Sequence, residues 1–402
     1  MESPFKALKV TDRVWWVGAC DWMLREFHGY STQRGTTYNA FLILDKKVTL
    51  IDAVKAHFKD ELLGRIASVI DPKEIAYIVS NHSEMDHSGC LPEIVAIVQP
   101  EKVFASKTGK QTLIEHFHFS GDFIEPVKTG DSLSLGENTL KFIDAKMLHW
   151  PESMVSLLEE ERILFSQDMF GMHLAQNKLF ADLIHQDILD YEAAKYYANI
   201  LLPFSSVVAK FLDTLEAMNL KFKIIAPDHG PLWRKNPENI IALYRKWASQ
   251  KPSKKILIVY DTMWFSTDKM ARAVSDGVAH GGAEPVLLPL KSNQRADIAV
   301  ELLDAGGLIV GSPTINNELY PTVADILSYL KGLRRKNLIG ASFGSYGWSG
   351  EAVKDVTTKL SEMGVEVIGE TRAKYVPTEA VLKECFELGE RVAERVLAGC
   401  GY

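Results

Sequence analysis

The stretch "SNHSEMDHSG", residues 80–89, places His82, Glu84, Asp86 and His87 within six consecutive positions. Imidazole nitrogen and carboxylate oxygen are the donors that first-row divalent metals take up, whereas an unpaired buried carboxylate is costly. The bland reading is a capped polar loop entering a helix. In an extended segment residues i, i+2 and i+4 face one way, so His82, Glu84 and Asp86 are expected to converge, with His87 adding a donor from the next position.

Three further fragments set ligand types where an apolar strand runs into its loop. "FIDAKMLHWPES" carries His149, "RILFSQDMFG" terminates at Asp168, and "FKIIAPDHGP" ends in Asp228, His229 and Gly230. One rim of a sheet sandwich can gather all of them. The remaining histidines offer less. His116 and His118 in "EHFHFS" lack matching partners, and His57, His185 and His280 read as surface or helix residues. His173, shortly after Asp168, could approach the metal. His28 lies in a loop rich in Gly, Tyr and Thr and reads either as a proton donor beside the metal or as a structural hydrogen bonder.

A second group of residues could bind a phosphorylated ligand. "KILIVYDTMWFSTDKMARAV" reads as strand, hydroxyl-rich loop and helix, so backbone amides with Thr262, Ser266 and Thr267 could surround a phosphate at the helix start. An ordinary Ser/Thr cap is the alternative for this loop taken alone. No lysine or arginine lies between Asp261 and Thr267, so the phosphate is expected to rest on neutral donors. "VGSPTINNELYP" then supplies Ser312, Pro313, Thr314, Asn316 and Asn317, and "SFGSYGWSGEAV" supplies Ser345, Tyr346, Gly347 and Trp348. Met263 and Trp264 in the first loop and the ring of Trp348 suit a flat ligand.

These loops need a frame, and two textures supply it. The polar stretch "WASQKPSKK" separates them, giving an expected boundary at 250 with domains 1–250 and 251–402. After it, short apolar runs ("KILIVYD", "GGLIVGSP", "LIGASFGS") alternate with helical patterns, which predicts one α/β doubly wound parallel sheet with its loops at the carboxyl ends of the strands. Before it, short alternating strands and intervening helices predict an αββα sandwich, with sheets inside and helices outside.

Composition narrows the function classes. A formal charge of −7 argues against a nucleic-acid surface, and no apolar run approaches the roughly 20 residues of a membrane span. Neither a nucleic-acid nor a membrane partner is expected, and the amino terminus lacks an apolar signal core. Cys20, Cys90, Cys385 and Cys400 form no CxxC pair, so no rubredoxin-type or zinc-ribbon module is expected and a reducing cytoplasm fits.

The histidine and aspartate fragments, in this order, resemble the metallo-β-lactamase fold, whose usual first motif is HxHxDH. Here the motif is HxExDH, and Glu84 in place of histidine hardens the site toward iron or manganese over zinc. The three later loops resemble those of flavodoxin around FMN. Joined in one chain, with "DWMLREFHGY", "HWPESMVS", "GSPTINN" and "SYGWSGE", they resemble the flavodiiron proteins (A-type flavoproteins), and within them the rubredoxin:oxygen oxidoreductase branch.

That resemblance implies a diiron centre. His82, Glu84 and His149 would hold one iron ion, Asp86, His87 and His229 the other, and Asp168 would bridge them. It implies FMN as second cofactor and reduction of dioxygen to water, of nitric oxide to nitrous oxide, or both. His28, Tyr30 and Tyr197 become candidate proton donors. It further implies a head-to-tail homodimer or dimer of dimers, with electrons from rubredoxin or a reduced deazaflavin. The alternatives are a zinc hydrolase with an accessory flavodoxin domain and an FMN electron carrier with a structural metal domain.

Overall fold

Short β-branched and aromatic runs form the strands of the first unit. The structure, a computed structural model, describes residues 4–400. Its first seven-stranded sheet runs in chain order: β1 (Leu8–Lys9), β2 (Val14–Trp16), β3 (Phe41–Ile43), β4 (Val48–Ile51), β5 (Ile75–Ser80), β6 (Lys102–Ser106) and β7 (Ile124–Val127). Pairing is antiparallel as far as β4 and parallel from β4 to β7. A five-stranded sheet comes next, β8 (Ser132–Ser134), β9 (Thr139–Asp144), β10 (Met154–Leu158), β11 (Ile163–Gln167) and β12 (Ile224–Pro227), with only β11–β12 parallel.

Strand periodicity divides the core. Phe41 and Ile43 of β3 meet Phe142, Leu158 and Phe165 of the second sheet, filling the sandwich interior. Leu42, between them, faces outward and packs with Leu62, Ile66, Ile94 and Leu113 of the covering helices. Every ligand-type residue then falls just beyond a strand end: after β5, between β9 and β10, after β11 and after β12.

The second unit carries β13 (Lys255–Tyr260), β14 (Glu284–Pro289), β15 (Gly307–Gly311), β16 (Ile339–Tyr346) and β17 (Glu366–Lys374). All pairs are parallel and the spatial order is β14-β13-β15-β16-β17, a doubly wound sheet. The helix Ser266–His280 starts from the loop after β13 and lies hard against the helix Glu379–Cys400. A Cβ on Gly277 would collide with the Phe386 carbonyl, and one on Gly389 with that of Val274.

The units divide between Arg245 and Lys246, a few residues before the expected boundary, and Tyr197–Ser205 belongs to the second unit. That excursion sits inside a helical stretch, Gln186–Ala217, long and apolar enough by length and composition alone to cross a membrane. Periodicity in the sequence does not single it out. The stretch is interrupted by a π-turn at Tyr197–Leu201 and a 3-10 turn at Leu202–Phe204, and buries Lys195 and Glu192 among its apolar residues.

Candidate metal and flavin sites

In the first unit the predicted donors gather into two adjoining clusters: His82, Glu84, His149 and Asp168, and Asp86, His87 and His229. In the first, Glu84 Oε2 lies 3.2 Å from His82 Nε2 and 3.1 Å from His149 Nε2. Asp168 Oδ2 lies 3.4 and 3.0 Å from the same nitrogens. In the second, His87 Nε2 stands 3.2 Å from His229 Nε2, and the two Asp86 oxygens lie 3.4 and 3.3 Å from these nitrogens. Asp168 Oδ1 completes it, 3.3 Å from His87 Nε2 and 3.6 Å from His229 Nε2. Donors sharing one ion at about 2.0–2.2 Å stand about 3.0–3.4 Å apart along its coordination edges, so the spacing suits an ion in each cluster.

One expectation needs correcting. His82, Glu84 and Asp86 do not face one way. Glu84 is still extended, but a helical turn, Met85–Ser88, begins immediately after it and swings Asp86 and His87 into the second cluster.

The electrostatics also call for cations. Both Asp86 oxygens and Asp168 Oδ1 are buried without a hydrogen bond, a costly state for carboxylates. Burial opposes charge on all these groups, yet the opposed charges outweigh it. Glu84, Asp86 and Asp168 are held below the usual carboxylate range, and His82 and His87 above the usual imidazole range. On His149, bonds to Asp168 and Glu84 overcome burial and carry the pKa to about 9.

Surrounding groups orient the rings. His229 Nδ1 donates to the Thr37 carbonyl at 2.6 Å, which leaves the Nε2 lone pair facing the cluster. His82 Nδ1 pairs with Glu152 Oε1 at 2.8 Å, and that oxygen also accepts from the Ser83 amide at 3.0 Å. Sequence reading passed over Glu152, although "HWPES" sets a carboxylate three residues beyond His149. Behind these ligands, burial and the nearby charge of Asp52 push Asp228 well up, and burial pushes Asp52 to about 6.

His28 comes to the cluster edge, with Nε2 2.7 Å from Glu84 Oε1. His173 reaches His229 indirectly: Nδ1 meets Thr36 Oγ1 at 2.8 Å and the rings are 4.6 Å apart. Tyr30 packs its ring 5.6 Å from that of His173. Tyr197 is different from expectation. Its hydroxyl pairs with Ser205 at 3.1 Å and its ring packs on Trp247, whereas Tyr196 lays its ring against His173 and His229. The π-turn starting at Tyr197 changes the helical phase there. His118 ends a helix in the left-handed conformation, and His116 packs on Trp150.

In the second unit a cavity of about 630 Å³ opens among the loops after β13, β15 and β16. Met263, Trp264, Ser266, Pro313, Thr314, Asn316, Asn317, Ser345, Tyr346, Gly347 and Trp348 line it, all expected from the sequence. Asn316 and Asn317 both have positive φ, 51° and 61°, as the two-residue turn between Thr314–Ile315 and Glu318–Leu319 requires. Ser349, Tyr375 and Val376 join the lining unforeseen. The signal for the last two was a fourth loop at the same sheet edge, after β17.

Thr262, Thr267 and Ser312 lie behind the lining rather than on it. Thr267 Oγ1 meets Ser345 Oγ at 2.9 Å, and Ser312 Oγ accepts from the Tyr320 amide at 3.1 Å. Thr262 Oγ1 is buried with no hydrogen-bond partner. The helix Ser266–His280 also begins without a side-chain cap, so its first amides are available to an anion. A phosphate-bearing ring system such as FMN fits these features.

Residues 36–230 match the family described as ODP family beta lactamase, and residues 258–389 match flavodoxin. The chain is 44% identical to the nitric oxide reductase of Moorella thermoacetica, over 96% of this chain and 98% of that one. Among solved structures, rubredoxin oxygen:oxidoreductase from Desulfovibrio gigas superposes with a TM-score of 0.96 at 42% identity, covering 99% of this chain and 100% of that one. The flavodiiron protein from Giardia intestinalis gives 0.94 at 34% identity, covering 98% of each. With two donor clusters in a β-lactamase-like unit, a loop-lined cavity in a flavodoxin unit and relatives alike over nearly the whole chain, the chain belongs to the flavodiiron protein family.

Proposed function

We propose that this chain reduces dioxygen to water, nitric oxide to nitrous oxide, or both, at two iron ions held by the first unit and supplied with electrons through FMN held by the second. The observation that carries the reading is the pair of adjoining donor clusters joined by Asp168. Relatives named for nitric oxide and for oxygen reduction, both alike over nearly the whole chain, support it. Glu84 among the donors and the flavodoxin match disfavour the zinc-hydrolase alternative.

When bound, two ferrous ions and reduced FMN supply the four electrons that carry dioxygen to two waters. The protein's share is positional. His82, Glu84 and His149 would hold one ion, Asp86, His87 and His229 the other, with one Asp168 oxygen turned to each. Glu152 and the Thr37 carbonyl fix the ring tautomers of His82 and His229. His28, whose bond to Glu84 raises its pKa, keeps a proton on Nε2 at the partly exposed edge of the site.

The reading includes a head-to-tail homodimer, or a dimer of such dimers, that sets one subunit's flavin beside the other's metals. Exposed apolar groups in each unit support an assembly: Trp264, Phe265, Trp348 and Val376 at the flavin cavity, and Met85 and Met147, close in sequence to ligands, in the metal unit. Rubredoxin is the donor favoured by the name of one relative, with a reduced deazaflavin as the other candidate. Four free cysteines suit a cytoplasmic setting.

Anaerobic purification, iron and flavin quantitation, and electrode assays with each gas and reduced rubredoxin test the reading. Two irons and one FMN per chain with consumption of either gas are expected. Zinc without flavin and no gas consumption would overturn it.

A further inference from the structure

The loop from Asp261 to Thr267 holds no basic residue, yet the fold brings one to it from elsewhere. Strand β14 pairs along the whole of β13, and the Leu290 amide extends that pairing by donating to the Tyr260 carbonyl at 2.9 Å. The next residue is Lys291, and its Nζ donates to the Thr262 carbonyl at 2.9 Å. A turn holds the segment: the Ser292 amide and Asn293 Nδ2 both donate to the Pro289 carbonyl, at 3.1 and 2.9 Å.

A carbonyl takes that hydrogen bond but leaves the ammonium charge uncancelled. The charge therefore stands over the loop whose Thr262 hydroxyl is buried without a partner and whose following helix lacks a side-chain cap. Neutral donors and a helix N-terminus can hold a phosphate, and a cation bonded to the same loop adds a charge that favours the dianion and leaves an uncharged ligand indifferent.

We propose that Lys291 is the charge-compensating residue of the flavin phosphate site, and that it sets the preference for a phosphorylated flavin over the unphosphorylated vitamin. The proposal rests on the flavin reading of the cavity. Lys291 acts on the phosphate through space and on the loop through Thr262, so the two contributions must be separated.

The test uses full-length protein stripped of flavin and titrated with FMN and with riboflavin by fluorescence quenching, for wild type, Lys291→Gln and Lys291→Arg. Gln retains a donor for the Thr262 carbonyl without the charge. The expected result is an FMN affinity about tenfold weaker in Lys291→Gln, riboflavin within about twofold of wild type, and near-normal FMN binding in Lys291→Arg. The FMN difference should shrink in high salt. Equal weakening of both flavins would make Lys291 a brace for the loop and overturn the proposal, as would unchanged FMN affinity. Wild-type protein that binds neither flavin would instead overturn the reading of the cavity itself.

Discussion

In the metal unit His82, Asp86, His87, Asp168 and His229 are each no more than 4% exposed, and every one carries or can carry charge. At the flavin cavity Trp264 and Trp348 are each 87% exposed, and the lining is neutral side chains. One site is thus a set of interior charges balanced against each other, and the other a set of loops whose backbone and rings form a surface. Removing one member of a buried charged set leaves its partners uncompensated, whereas a surface loop loses only the contact removed.

Asp168→Ala breaks that comparison most severely, because its two oxygens serve both clusters. Iron content should fall to near zero and gas reduction by on the order of 10³-fold or more, above the roughly 10–100-fold typical of groups that only orient a ligand. The flavin absorbance should survive. One ion retained per chain would show that the clusters do not depend on a shared carboxylate. Glu152→Gln sharpens the picture one step out: metal affinity should drop about 10–100-fold by chelator competition, with normal flavin content.

On the flavin side, Asn317→Val puts a β-branched residue at a φ of 61°. The cost of about 1–2 kcal/mol should weaken FMN about tenfold and leave iron unchanged. Loss of iron together with FMN would mean that the two sites are not independent.

The smallest effect is a proton. His149 titrates at about 9 in the metal-free protein, above the ordinary imidazole value of about 6.5. Its charged form therefore stabilises the metal-free fold fully below about pH 6.5, and this contribution fades as pH rises through about 9. Metal binding runs the other way, displacing the proton, so affinity should climb with pH up to about 9. Calorimetry at pH 7 in two buffers of different ionisation enthalpy should register proton release on metal addition; identical heats would count against it.

The donor types and their places at strand ends are visible in the sequence because each comes after an apolar run and answers to no structural need there. The doubly wound sheet is visible through its alternation of short apolar runs and helical patterns. The features that escaped depend on backbone detail that residue type does not encode. Tyr196 and Tyr197 are chemically alike, and only the rotational setting of their helix, about 100° between neighbours, decides which ring meets His229. Glu152 was overlooked because its importance lies in a contact with His82, 70 residues away in the chain. Thr262, Thr267 and Ser312 have the right chemistry at the right loops, yet hydrogen bonds to neighbours or burial hold them behind the cavity wall.

The switch from extended to helical backbone at Met85 has a consequence for how this segment can vary. Met85 itself is 49% exposed and belongs to neither donor cluster, so the metal site does not fix its identity. It does fix the count of residues. Each residue added inside a helical turn rotates the downstream side chains by about 100°. An insertion between Glu84 and Asp86 would leave His82 and Glu84 in place while turning Asp86 and His87 out of their cluster. At this position the metal site constrains the length of the segment and not the identity of the residue.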